Sequence, residues 1–231
     1  GPDPTSRGNG VPIRYAISSR DVGWELEWDD GEPLWTFPRW AWEREVLPGA
    51  QIVPVPSSPF RGWVEVQGTR LELQQAIGNL ARIYGHGNAK RWGWLHAELG
   101  GGEVLEIVAA APHRKSLRFV PPVPMVQLRT TKGDWPRDPL AAAPFFRSRL
   151  GLPHWSVRGT VGRRRLRVEV DIPADRAVAV PYADPDGAPA TCTNSERADA
   201  EIVLERWRRG WETERQWSLQ ATAHAEIGTR P

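Results

Sequence analysis

The chain has 231 residues, 13 of them Trp against three Tyr, five Phe and one Met, and its 30 Lys and Arg exceed its 28 Asp and Glu by a net charge of only +2. So small a charge excludes the strong overall field that steers a protein to nucleic acid, and no apolar run is long enough for a spanning helix or stable membrane insertion. A single cysteine, Cys192, excludes an internal disulfide and, with no signal pattern at the start, points to the cytoplasm.

Residues 1–12 are rich in Gly and Pro without periodicity and read as a disordered tail or cloning remnant, and 13–231 read as a single domain. Period-two runs then succeed one another at 23–28, 40–46, 62–66, 69–74, 91–99, 103–110, 124–130, 154–160, 164–172, 200–207 and 214–228, broken by Gly, Pro and Asp. Gln67-Gly68, Gly100-Gly101-Gly102 and Val161-Gly162-Arg163 join neighbouring runs as tight turns, so the connectivity is an antiparallel meander. Pro-rich stretches such as Val53-Pro54-Val55-Pro56 read as linkers or edge strands. Only 138–150 reads as helical, with Pro139 near its start, an Ala run and Gly151 after it. In the last run Trp217, Leu219, Ala221, Ala223, Ala225 and Ile227 form one apolar side.

The run at 91–99 carries the most chemistry. Arg91, Gly93, Leu95, Ala97 and Leu99 share one face, and Trp92, Trp94, His96 and Glu98 share the other. Two readings fit that second face: packed core, because large aromatics fill interiors, and the wall of a ligand cavity, because indoles give apolar contact while polar groups orient a guest or move a proton. His96 and Glu98 lie roughly 6–7 Å apart by strand rise, close enough to address one ligand. A carboxyl held in an apolar cavity has its neutral form favoured, as protonation of an alkene or carbonyl requires.

Other chemistries lack their residues. There is no phosphate loop followed by Lys-Ser or Lys-Thr, and no Gly-x-Ser-x-Gly elbow, so Ser195 reads as a turn residue. The five histidines (His86, His96, His113, His154 and His224) do not pair at zinc spacings, so no metal or other cofactor is expected. Arg163-Arg164-Arg165-Leu166-Arg167 alternates with Leu166, Val168 and Val170 as a solvated strand face rather than a nucleic-acid site.

Five segments, in order, resemble the tocopherol cyclase and carotenoid hydratase superfamily of lipocalin-like proteins, which includes decalin-forming Diels–Alderases. Phe60 to Leu73 looks like its Gly-Trp/Tyr-x-Glu hairpin, and Ile83-Tyr84-Gly85 stands where the family has Asn-Trp-Gly. Lys90 to His96 stands where it has Arg-Trp-x-Trp and then Gln or His. Thr191 to Ser195 with Ala200 to Leu204 is similar to its Cys-x-x-Ser turn and following strand, and Ala221 to Gly228 to its closing Ala-x-x-Glu-Ile/Val-Gly strand.

The resemblance implies an all-β, lipocalin-like antiparallel meander barrel with one short helix, binding a hydrophobic isoprenoid or polyketide-like molecule. It implies cyclisation, hydration or isomerisation, with Glu98 or His96 moving the proton and Trp92, Trp94, Trp63 and Trp217 folding the substrate. A pericyclic variant would draw one donor from Tyr84, Lys90 or Arg91. The alternative is a non-catalytic carrier of the same kind of molecule, which needs the same residues but no acid.

Overall fold

The computed structural model describes residues 13–18, 21–44, 49–85, 89–111, 121–184 and 187–230. His86 and His113 lie outside them, as does residue range 1–12. Strand is the dominant element, and the chain divides into two compact units.

The first unit takes residues up to Leu34 together with Ile52–Arg82. It holds β1 (Ile13–Ser18), β2 (Val22–Trp28), most of β4 (Gly49–Val66) and most of β5 (Thr69–Gly85), paired in the order β1-β2-β4-β5. Gln67 and Gly68 turn β4 into β5 with φ of +49° and +79°, the left-handed pair that the strand twist of a two-residue hairpin demands. Trp28 stacks on Phe60 at 5.0 Å, and Phe60 in turn covers Gly78, where any Cβ would stand 2.9 Å from the ring.

The second unit takes Trp35–Gln51 and Ile83–Pro231. After the two-residue strand β3 (Leu34–Trp35) comes α1 (Arg39–Glu43) and the start of β4. The unit then runs through β6 (Arg91–Gly100), β7 (Glu103–Ala111), β8 (Val123–Thr130), β9 (Gly133–Trp135), α2 (Pro139–Ala142), β10 (Phe146–Arg149), β11 (His154–Val161), β12 (Arg164–Asp171), β13 (Val178–Ala183), β14 (Pro189–Trp207) and β15 (Trp211–Thr229). The strands pair in the order β10-β11-β12-β14-β15-β6-β7-β8-β9, with β13 also on β14, and these neighbours run antiparallel.

The two edges of this sheet approach one another. Trp135 of β9 meets Phe146 of β10 edge-on at 6.0 Å, and the Ser148 hydroxyl donates to the Pro122 carbonyl at 2.8 Å. Alternate side chains of the curled sheet fill its inside: Leu95 and Ala97 of β6, Leu105 and Ile107 of β7, Val126 and Leu128 of β8, Leu166 and Val168 of β12, Ile202 of β14 and Ala223 and Ala225 of β15 are all buried in one cluster. Its strength is area removed from water, which period-two patterning delivers to one face.

Two expectations are corrected. The run at 40–46, of which 40–44 are described, opens as a helix and not as a strand: α1 forms over Arg39–Glu43, held by an Arg39–Glu43 pair one helical turn apart at 2.7 Å. The helix expected over 138–150 is cut short. Asp138 caps α2 by accepting from the Ala141 N–H at 3.0 Å, but Pro144 has no N–H to continue the ladder, so a 3-10 turn (Ala143–Phe145) gives way to β10.

Candidate ligand and proton-transfer site

Gly100, Gly101 and Gly102 close the β6–β7 hairpin with φ of +87°, +64° and +76°, angles that L side chains adopt only under strain. That turn fixes the register, which sets His96 opposite Glu106 and Trp94 opposite Val108. β15 extends the rows, with His224 opposite His96, Glu226 opposite Trp94 and Gly228 opposite Trp92, and β8 sets Gln127 opposite Glu106. Directly paired residues share a face, so His224, His96, Glu106 and Gln127 form one polar row across four strands.

The row lies on the outer face of the sheet. The inner face of β6 is the one with Gly93, Leu95, Ala97 and Leu99, packed into the apolar cluster. Trp92, Trp94, His96 and Glu98 therefore face away from the filled interior, where the cavity-wall reading had them lining a hollow. The row is nonetheless shielded from water: Glu106 is 0% exposed, Gln127 and Gln51 are 4% and His96 is 5%.

Glu106 is the centre of this face. Its Oε1 accepts from Gln51 Nε2 at 2.6 Å and from the Trp94 indole N–H, and its Oε2 bonds His96 Nδ1 at 2.9 Å. An ionised carboxylate only accepts, so His96 carries its proton on Nδ1 and turns Nε2 outward. Among the described residues Nε2 has no hydrogen-bond partner. Glu98 Oε2 and Gln127 Oε1 are also buried without a donor. Three acceptor positions thus stand open around a closed network.

Glu226 does for Trp92 what Glu106 does for Trp94. It accepts from the Trp92 indole at 2.9 Å and from the Cys192 thiol at 3.2 Å. Burial, with the Glu226 charge beside it, pushes the Cys192 thiol up to about 12, so it stays protonated and is no nucleophile at neutral pH. The Trp92 ring lies flat over Gly228, where a Cβ would fall 1.8 Å from it. His224 packs against Trp94 at 4.4 Å between ring centroids, accepts from Asn194 Nδ2 at 2.9 Å and has its Nδ1 3.2 Å from the Glu196 carboxylate. Burial lowers its pKa to about 4, against the raising effect of Glu226, so the ring is neutral and its contact with Glu196 is not an ion pair at neutral pH.

The structure thus brings Trp92, Trp94, His96 and Glu98 onto one surface. Trp217 packs instead on the inner face with Arg215 over its ring at 4.8 Å. Trp63 belongs to the first unit, where Arg70 covers its ring at 4.2 Å. Arg91 and Lys90 are exposed at the start of β6, and the side chain of Tyr84 lies outside the described residues. Sequence reasoning passed over Glu106, Gln51, Glu226 and Gln127. Glu106 had a signal, as a lone charge inside the apolar run Val104 to Ala111, and the Gly100–Gly102 turn pairs it with His96 by counting. Among the described residues no group of three or more His, Cys, Asp or Glu can hold a metal ion.

The profile of the tocopherol cyclase-like family matches residues 14–229. The chain belongs to the tocopherol cyclase-like family. It is 47% identical over 221 residues to the uncharacterized proteins Rv0493c and MT0513 of two Mycobacterium tuberculosis strains, H37Rv and CDC 1551, covering 95% of this chain. It spans 64% of the length of those relatives. A crystal structure of a "putative AttH" from Nitrosomonas europaea overlays with a TM-score of 0.52 at 13% identity, over 96% of this chain and 66% of that one. The fold of this tocopherol cyclase-like chain is accordingly lipocalin-like, as its motifs implied. No helix among the described residues is long and apolar enough to cross a membrane.

Proposed function

We propose that this chain binds an apolar isoprenoid or polyketide-like molecule against the Trp94–His96–Glu98 face of β6 and promotes its cyclisation, hydration or isomerisation by proton transfer. The observation that carries the reading is the buried His96–Glu106 pair, with Nδ1 fixed by the carboxylate and Nε2 left open. A carboxylate that fixes the tautomer and orientation of an imidazole is the arrangement general acid–base catalysis uses. Gln51 and Trp94 hold Glu106 from its other oxygen, so the imidazole is positioned before any ligand arrives.

Glu98 has the second role. Its Oε2 is buried without a donor two residues along the same face, where a protonated carboxyl gives its proton to an alkene or carbonyl carbon skeleton and His96 Nε2 removes one from the resulting cation. The indole faces of Trp92 and Trp94 supply apolar contact and cation–π stabilisation of that positive charge, while their N–H groups are committed to Glu226 and Glu106.

The test is deuterium incorporation from D2O into linear isoprenoid and polyene substrates, read by mass spectrometry. His96→Ala and Glu98→Gln are each expected to lower it by about 10²-fold or more while ligand still binds. Binding that persists with no labelled product from the unaltered chain would instead make it a carrier.

A further inference from the structure

One end of the second unit's barrel is basic and aromatic although the whole chain is nearly neutral. Four turns gather there: Gly100–Gly102, Thr131–Lys132, Gly162–Arg163 and Arg208–Gly210. The Trp207 N–H donates to the Arg163 carbonyl at 2.8 Å, joining two of them, and Glu103 joins the others by accepting from the Thr131 N–H at 3.2 Å and from Arg215 at 2.6 Å.

Four carboxylates at this end are already engaged. Glu205 holds Arg165 and Arg167, Glu214 holds Arg164, Glu103 holds Arg215, and Glu212 lies 3.8 Å from Arg208. Arg163, Arg206, Arg209 and Lys132 are exposed, and among the described residues none has a carboxylate in salt-bridge contact, the Glu214 charge reaching Arg206 and Lys132 only at longer range. Between them stands Trp207, 42% exposed, its ring edge-on to Trp211 at 5.4 Å, while Arg165 covers Trp211 at 4.5 Å. The indole is thus braced from behind and offered outward, and the glycine turn beside it carries no side chain to hold a surface away.

We propose that this end docks on the anionic headgroup surface of a phospholipid bilayer, with Trp207 at headgroup depth and Arg163, Arg206, Arg209 and Lys132 on lipid phosphates. An indole, apolar in body and polar at its N–H, suits the headgroup layer, and unpaired cations gain from a negative surface within a Debye length. A nucleic-acid strand calls for cations along a track with bases stacking on open rings; here the cations surround a single tip. The inference does not depend on the reading of the His96 face.

Flotation of the whole chain with vesicles tests it. Binding is expected to vesicles containing phosphatidylglycerol and not to phosphatidylcholine alone, and to weaken with salt. It should fall about fivefold for each arginine removed in Arg163→Gln, Arg206→Gln and Arg209→Gln. Trp207→Ala should lower it further, with unchanged thermal unfolding as the control for folding; Arg209→Gln, in the turn itself, serves if the multiple variants unfold. Equal binding to both vesicles, no binding to phosphatidylglycerol, no effect of Arg209→Gln, or tighter binding to a duplex oligonucleotide would overturn the proposal.

Discussion

Glu106 takes three donors at a point sealed from water, so changing its charge and changing its shape have different consequences. Glu106→Gln keeps the shape, but its amide must now donate to His96 Nδ1, which moves the imidazole proton to Nε2. The expected result is a tautomer switch in the ¹⁵N spectrum and a stability loss of about 1–3 kcal/mol, because bonds to a charged acceptor are replaced by neutral ones. Gly228 answers a different constraint. A methyl group there meets the Trp92 ring, so Gly228→Ala should cost about 1–3 kcal/mol by overpacking and free the indole from Glu226, read as a shift in Trp emission on urea unfolding. Neither effect is visible in composition. His96 was legible from alternation because it sits beside Trp94 in one strand, whereas Glu226 and Gln51 reach the site from strands far away in sequence, and only folding states which strands become neighbours.

Between residues and the whole lie elements whose irregularities carry their own supports. β15 loses register against β14 between Ala198 and Ala200, where Ala221 takes φ of +56° and donates its N–H to Asp199 at 2.6 Å. Arg176 grips the same carboxylate with two bonds and holds its pKa below the ordinary range. Asp199→Ala should therefore lower stability by about 2 kcal/mol in chemical denaturation, since it orphans both a guanidinium and a strained N–H. Strands of regular alternation such as β6, β7, β11 and β12 were legible within a residue or two. β4 was read as a regular run only at 62–66 and as a linker or edge strand at 53–56, because Pro54 and Pro56 interrupt the pattern, yet a strand tolerates Pro wherever no partner needs its N–H. Trp40 and Trp42 alternate equally well in a strand and in a helix as short as α1, so period alone could not decide between them.

At the scale of the molecule, burial of titratable groups makes stability depend on pH in two separable windows. His224, facing Glu196, Glu226 and His96, has its folded pKa lowered to about 4 from an ordinary 6.5. The unfolded chain binds that proton first, so stability is full above pH about 6.5 and falls as pH drops toward 4, by roughly 3 kcal/mol in all. Carboxylates held low by arginines, Asp199, Glu205 and Glu214, contribute stability that disappears only below their ordinary values as pH falls through their folded ones. Denaturation profiles should thus show a first decline between pH 6.5 and 4 that His224→Gln flattens, leaving the more acidic one in place.

The second unit's interior is packed with apolar side chains, which leaves the Trp94–His96–Glu98 face as the proposed seat of the guest in this tocopherol cyclase-like chain. Native mass spectrometry of freshly purified protein, followed by extraction, tests that most directly. A bound apolar small molecule released on unfolding is expected with the unaltered chain, and its loss is expected in Trp94→Ala with His96→Ala. The same molecule retained equally by both proteins, or none recovered from either, would contradict it.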